Sequence, residues 1–161
     1  MFKVRIRGVN NAVRSLARID DAIHDAAREG CNEAAWYLLD VIKGKFGVYN
    51  TTGGPPGGYG RWPKLKFETR KKKVRKYGAD RGPLIASGKT VGSLTVVEGG
   101  KGRLAASVSA DSDYLIHHVY GAPDANVPMR DPMRVTALEE KDKCTEIIMK
   151  HIDDALKGIG L

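Results

Sequence analysis

Cysteine is scarce in this sequence. Cys31 and Cys144 stand far apart, with neither a CxxC pair nor Cys/His ligand spacing. No disulfide framework or zinc-ligand set can be built from them, and both thiols are expected to be buried and reduced. Long apolar runs are missing too. None approaches the ~20 residues of a membrane-spanning helix, which excludes a conventional transmembrane segment. Met1-Phe2-Lys3-Val4-Arg5 lacks the apolar middle of a signal peptide. The expectation is a protein made and kept in the cytoplasm unless an assembly carries it out. Acidic residues are in deficit, 19 against 27 Lys and Arg, for a formal charge of +8. That balance permits nucleic acid or an acidic protein surface as partner.

What is present suffices for one domain over residues 1–161. Hydrophobic residues make up 42% of the 161 positions, enough for a single core. Its most unusual stretch is a Gly/Pro-rich and basic segment at about residues 47–82, expected to be an extended loop. Gly53-Gly54-Pro55-Pro56-Gly57-Gly58-Tyr59-Gly60 can hardly be regular structure, because proline lacks an N–H and glycine carries backbone freedom that order must freeze. Arg61-Trp62-Pro63-Lys64-Leu65 and a basic run follow. Loops of this size usually serve a partner, so Gly53, Pro55, Pro56, Tyr59, Arg61, Trp62 and Leu65 are the expected docking residues.

Along the chain, Phe2-Lys3-Val4-Arg5-Ile6-Arg7 alternates as a strand does, ending at Gly8. Asn10 or Asn11 can cap a long helix. Its apolar stripe is Val13, Leu16, Ile19, Ile23, Ala27, Cys31, Ala34, Leu38 and Val41, running to about Phe46, with Gly30 a weak point. Residues 67–77 read as a short helix or an extended arm, since Lys71-Lys72-Lys73 has no apolar face. Residues 93–98 and 104–110 read as antiparallel strands joined through Gly99-Gly100-Lys101-Gly102. Asp111 or Ser112 can cap a short helix that Gly121 stops. A last helix is expected from about Pro132 to about Leu156. The fold class is α+β: a small antiparallel β-sheet packed with a long N-terminal helix and a C-terminal helix.

The chemical motifs dissolve on inspection. Ser87-Gly88-Lys89-Thr90 ends like a phosphate-binding loop, but Pro83 occupies the place of the first glycine and removes a donor. Gly100-Lys101-Gly102-Arg103-Leu104-Ala105 matches a dinucleotide pattern, yet a strand follows instead of the required helix, so it is a hairpin turn. His117-His118 points two ways on a helix and lacks further ligands at helical spacing. No nucleophile–base order or carboxylate pair stands out. The expectation is no enzyme, no cofactor and no metal. Arg70, Lys71, Lys72, Lys73, Arg75 and Lys76 form a basic arm, suited either to phosphates with stacked bases or to an acidic neighbour.

A resemblance separates these alternatives. The chain resembles the tail-completion and virion-morphogenesis proteins of long-tailed bacteriophages, a family of neck components. The similarity rests on the long first helix, the Gly/Pro loop, Trp62-Pro63-Lys64-Leu65 and the Thr/Lys-rich Thr69-Arg70-Lys71-Lys72-Lys73. It continues through Leu84, Ser87, Gly88 and Ser93, close to the family's Leu-x-x-(Ser/Thr)-Gly-x-Leu-x-x-Ser. It ends with Gly121 and with Pro128, Arg130 and Pro132, near its Ile/Val-Pro-x-Arg-Pro element. The resemblance implies a non-enzymatic ring subunit, usually six-fold, in the virion neck. Its partners would be copies of itself, a head connector, adaptor or stopper protein, and a tail terminator or tail tube protein. Non-specific contact with packaged DNA is compatible with it, and a membrane is not implied. A free-standing basic nucleic-acid-binding protein is the alternative.

Overall fold

A computed structural model describes residues 9–49, 61–85 and 87–159, with side chains from Leu16 onward. The docking residues Gly53, Pro55, Pro56 and Tyr59 and the strand expected at residues 2–7 lie outside the described residues. The elements are α1 (Val9–Lys45), α2 (Phe67–Tyr77), α3 (Lys89–Gly92), β1 (Leu94–Val97), β2 (Ser107–Ala110), α4 (Asp113–Tyr120), a 3₁₀ turn (Pro123–Ala125), α5 (Pro132–Glu139) and α6 (Lys141–Gly158). This is the α+β arrangement the sequence implies.

The 37-residue α1, about 55 Å long, is the axis of the molecule. The β-hairpin pairs Leu94 with Ala110 through Val97 with Ser107, antiparallel. It fastens to α1 through Trp36 Nε1 donating to Glu98 at 2.8 Å and the Gly99 N–H donating to Asn32 at 2.8 Å. α6 runs back along α1: Lys45 pairs with Glu139, Tyr37 donates to Glu140 at 2.5 Å, and Gly30 faces Ile148. A Cβ on Gly30 would sit 2.8 Å from the Ile148 Cα, so its bare backbone is what lets the two helices approach. The helix continues through Gly30, and Asn10 and Asn11 lie inside α1 rather than capping it.

The buried face of α1 is displaced from the expected stripe. Ala26, Gly30, Ala34, Ala35, Leu39, Ile42 and Phe46 are buried, while Ala27, Cys31, Leu38 and Val41 are half-buried and Leu16 is exposed. Small residues where α6 presses close carry little hydrophobic weight, so a count of large apolar residues drifts off the true seam. Leu39, Ile42 and Phe46 form the core with Trp62, Leu84, Leu94 and Leu115. Burying each such side chain stabilises the fold by roughly 1.5–3 kcal/mol.

The expected single C-terminal helix is two. Glu140 ends α5, its N–H on Thr136 O at 2.9 Å, and Cys144 N–H on Glu140 O at 2.9 Å belongs to the next helix. The corner lets α5 bury Val135 and Thr136 while α6 turns along α1, and it leaves Leu138 exposed. Of the two readings of residues 67–77, short helix or extended arm, the structure has the helix, α2, inside the segment expected to be an extended loop.

Candidate electropositive cleft

Nine of the 27 basic residues and one of the 19 acidic residues fall in residues 61–77, so that stretch carries the whole +8 surplus. α2 is helical because long straight side chains suit the conformation and its charges follow the dipole: Glu68 in the first turn, Arg75 and Lys76 in the last. Gly78, at φ 76°, closes it with its N–H on Val74 O. None of its residues is buried. It is held instead by polar ties. Arg70 Nε bonds Asp80 at 2.6 Å, which holds the Asp80 carboxyl below its usual range. Lys73 Nζ donates to the carbonyls of Gly82 and Ile85, the latter at 2.6 Å, and burial pushes the Lys73 pKa down. Lys73 is therefore an anchor. Lys71, Lys72, Arg75 and Lys76 form the solvated row proper.

Between α2 and α4 lies a cleft of about 1480 Å³. The 63–66 segment, α2 and α4 wall it, and the link from Gly121 to Arg130 floors it. Arg130 is 3% exposed, with Nη2 on Pro63 O at 2.8 Å and its backbone N–H on His118 O at 2.6 Å. No carboxylate among the described residues pairs with it, and Nε has no partner. A buried guanidinium without a counterion is unusual, because desolvation disfavours the charge, and burial pushes the Arg130 pKa down. Lys64, Lys66, Lys76 and Lys89 stand exposed on the rim, with no ion pair among the described residues. Asp111 and Asp113 are the acids of the wall.

His118 reports this field. Burial first, then Arg130, Lys73 and His117, lower its pKa from 6.5 to about 4. The folded state thus resists a proton that the unfolded chain accepts below about pH 6.5. Stability is expected to hold above pH 6.5 and to fall by roughly 2 kcal/mol as pH drops to 4, less than the full shift because water reaches part of the ring. Urea titrations across that range check it. His118→Gln should remove most of the slope, and an unchanged slope would refute the assignment.

The remaining positions fall into place around the cleft. Trp62, expected in a docking loop, is 3% exposed and packs in the core, since an indole beside Leu39, Phe46 and Leu84 loses more water contact than a loop tip would. Leu65 is half-buried on the cleft, and its N–H bonds the Tyr49 hydroxyl at 3.2 Å. Arg61 is exposed. Leu84 is buried at φ 63°, Ser87 is exposed, and Gly88 opens α3. Ser93 ties its hydroxyl to Thr90 O at 2.9 Å. Gly121 and Pro128 line the cleft, and Pro132 is buried at the first position of α5. Asp131, which separates Arg130 from Pro132, caps α5 by accepting from the N–H groups of Met133 and Arg134 at 3.0 Å each.

Sequence reasoning missed Lys73 as an anchor and His118 as a half-buried imidazole with a lowered pKa. The Asp-Pro pair before a helix was the available signal for the cap. Both cysteines are free and half-buried. Among the described residues no group of three His, Cys, Asp or Glu could hold a metal, and no helix is long and apolar enough to cross a membrane. No protein-family model, curated protein or solved structure matches this chain.

Proposed function

We propose that this chain is a non-enzymatic structural subunit of a bacteriophage neck, assembling as a six-membered ring that completes the tail and joins it to the head connector. The observation that carries the assembly part of this reading is the amount of unpartnered binding surface. Trp36, Phe67, Val74, Ile116, Tyr120 and Met149 are large, apolar and exposed, and they are spread over four helices. Among the described residues the sheet has two strands, each with one edge unpaired. Such a sheet is marginal alone, and open edges and apolar faces are what ring neighbours cover. The neck location rests on the resemblance in motif order. The connector, adaptor or stopper would lie on one side and the tail terminator or tube on the other.

Electron-microscopy reconstruction of the virion that encodes the chain, beside native mass spectrometry of the purified protein, tests this. The expected result is ring density for this chain at the head–tail junction. Density elsewhere, or an isolated monomer in the neck, would refute the proposal. A free-standing nucleic-acid-binding protein is the second reading, favoured by the concentration of the basic surplus in residues 61–77. In the neck, that stretch gives only weak DNA affinity, indifferent to sequence and steeply salt-dependent. Tight binding to one DNA sequence would favour the second reading.

A further inference from the structure

The cleft and α1 suggest how neighbouring copies meet. Resting on the ring reading, we propose that the cleft floored by Arg130 is a socket for the acidic N-terminal half of α1 from a second copy of this chain.

The socket is built for an anion. Arg130 is almost wholly buried and lines the cleft, and among the described residues it faces no carboxylate and its Nε has no partner. Above it the rim lysines Lys64, Lys66, Lys76 and Lys89 have no ion partners among the described residues. Charge of one sign around an apolar floor of Leu65, Ile85, Val127, Pro128 and Met129 calls for an occupant both acidic and apolar.

Such an occupant exists at the other end of the molecule. Asp20, Asp21, Asp25 and Glu29 are exposed along α1, with Leu16 exposed and Ile19 and Ile23 half-exposed among them. Asp25 is paired with Arg28 at 2.7 Å and Asp20 lies 3.6 Å from His24, while Asp21 and Glu29 have no ion pair among the described residues. Arg14 and Arg18 are the other cations there, so the stretch from Val9 to Glu29 is acidic on balance, four carboxylates against three arginines. α6 faces Gly30 through Ile148 and ends at Gly158, so it flanks α1 back to about residue 20, and the four acids stand exposed beside it.

The acidic turns stand ~20 to ~33 Å along α1 from Ile42 in the core beneath the cleft, so a chain cannot fill its own socket. The contact must be head-to-tail, and a head-to-tail contact closes into a ring when its rotation permits. A phosphodiester track fits less well, because Asp111 and Asp113 stand in the wall and the floor is apolar.

Two exposed-residue variants test the contact in the full chain. The socket variant is Lys64→Glu, Lys66→Glu, Lys76→Glu, and the helix variant is Asp20→Lys, Asp21→Lys, Glu29→Lys. Circular dichroism melts establish that both fold. By sedimentation at low salt, the wild type should self-associate and weaken as salt rises, each variant alone should lose at least tenfold in affinity, and an equimolar mixture should recover it. Wild-type-like association of either folded variant, no recovery on mixing, or no wild-type association at millimolar concentration would overturn the socket. So would a socket variant that loses only DNA affinity. Neck ring density together with unaffected variants would remove this contact and leave the ring reading. Absence of the chain from the neck would remove the ring reading while the mixing result stood.

Discussion

Replacing Gly82 by alanine is expected to destabilise the fold by roughly 3–5 kcal/mol. The added Cβ would lie 2.0 Å from the carbonyl oxygen of Gly47 and 2.7 Å from its carbonyl carbon, and backbone cannot rotate away as a side chain can. Gly82 also sits at φ 68°, which L side chains adopt with strain. The close approach has a purpose. Gly47 follows α1, and its N–H donates to Pro83 O at 2.9 Å, tying the end of the long helix to the 82–85 segment. That segment presents the Gly82 and Ile85 carbonyls to Lys73, so a backbone contact of two glycines also decides where the basic helix stands. Gly78→Ala is the control: φ is 76° there, but nothing lies within 4 Å. It should cost only about 1–2 kcal/mol. Urea unfolding of both variants separates the steric effect from the φ strain. If Gly82→Ala fell within 1 kcal/mol of the control, the clasp would not be tight.

The parts of this fold that were legible in the sequence are those where periodicity and punctuation agree. α1 ends one residue before Phe46, the hairpin turns through its glycines, and α4 ends at Gly121, because apolar spacing and a breaker mark each. The break at Glu140 carries neither glycine nor proline. It follows from tertiary packing of Thr136 and from the Tyr37 hydrogen bond, which no local pattern encodes. α2 was legible only as a short helix or an extended arm, because its stability owes nothing to a buried face, only to Arg70, Lys73 and the Gly78 cap. For the cleft, the Val-Pro-x-Arg pattern singled out Arg130 only as part of a motif. What it does there, a charge buried on a carbonyl instead of a carboxylate, depends on the distant Pro63. Trp62 and Lys73 were misread for one reason: each sits in a run whose composition is that of a loop, while its own side chain reaches inward.

Arg130→Met is expected to leave the protein folded and to weaken its self-association at least tenfold. The thioether is apolar and close in length to the arginine stem, so packing against the cleft floor is kept. Losing the Nη2 bond leaves Pro63 O short of a donor, a penalty of about 1–3 kcal/mol. Removing a desolvated charge that has no counterion among the described residues offsets it, so the net change at pH 8 should stay below about 2 kcal/mol. The charge itself should be missed in two places. His118 loses the second cause of its depressed pKa, so its titration should rise part-way from about 4 towards 6.5, burial still holding it down. Its ring-proton chemical shifts, followed against pH, read this directly, and acid stability should improve with it because less of the proton-binding difference between folded and unfolded states remains. The socket loses its deepest cation, and self-association at low salt should weaken by at least tenfold. Arg130→Lys separates charge from shape: it restores a cation but not the fork, so association should recover in part. If His118 titrated unchanged in Arg130→Met, the cleft would not be the electrostatic unit described. If the titration moved while association held at the wild-type level, Arg130 would be a feature of the fold alone and the copies would meet elsewhere.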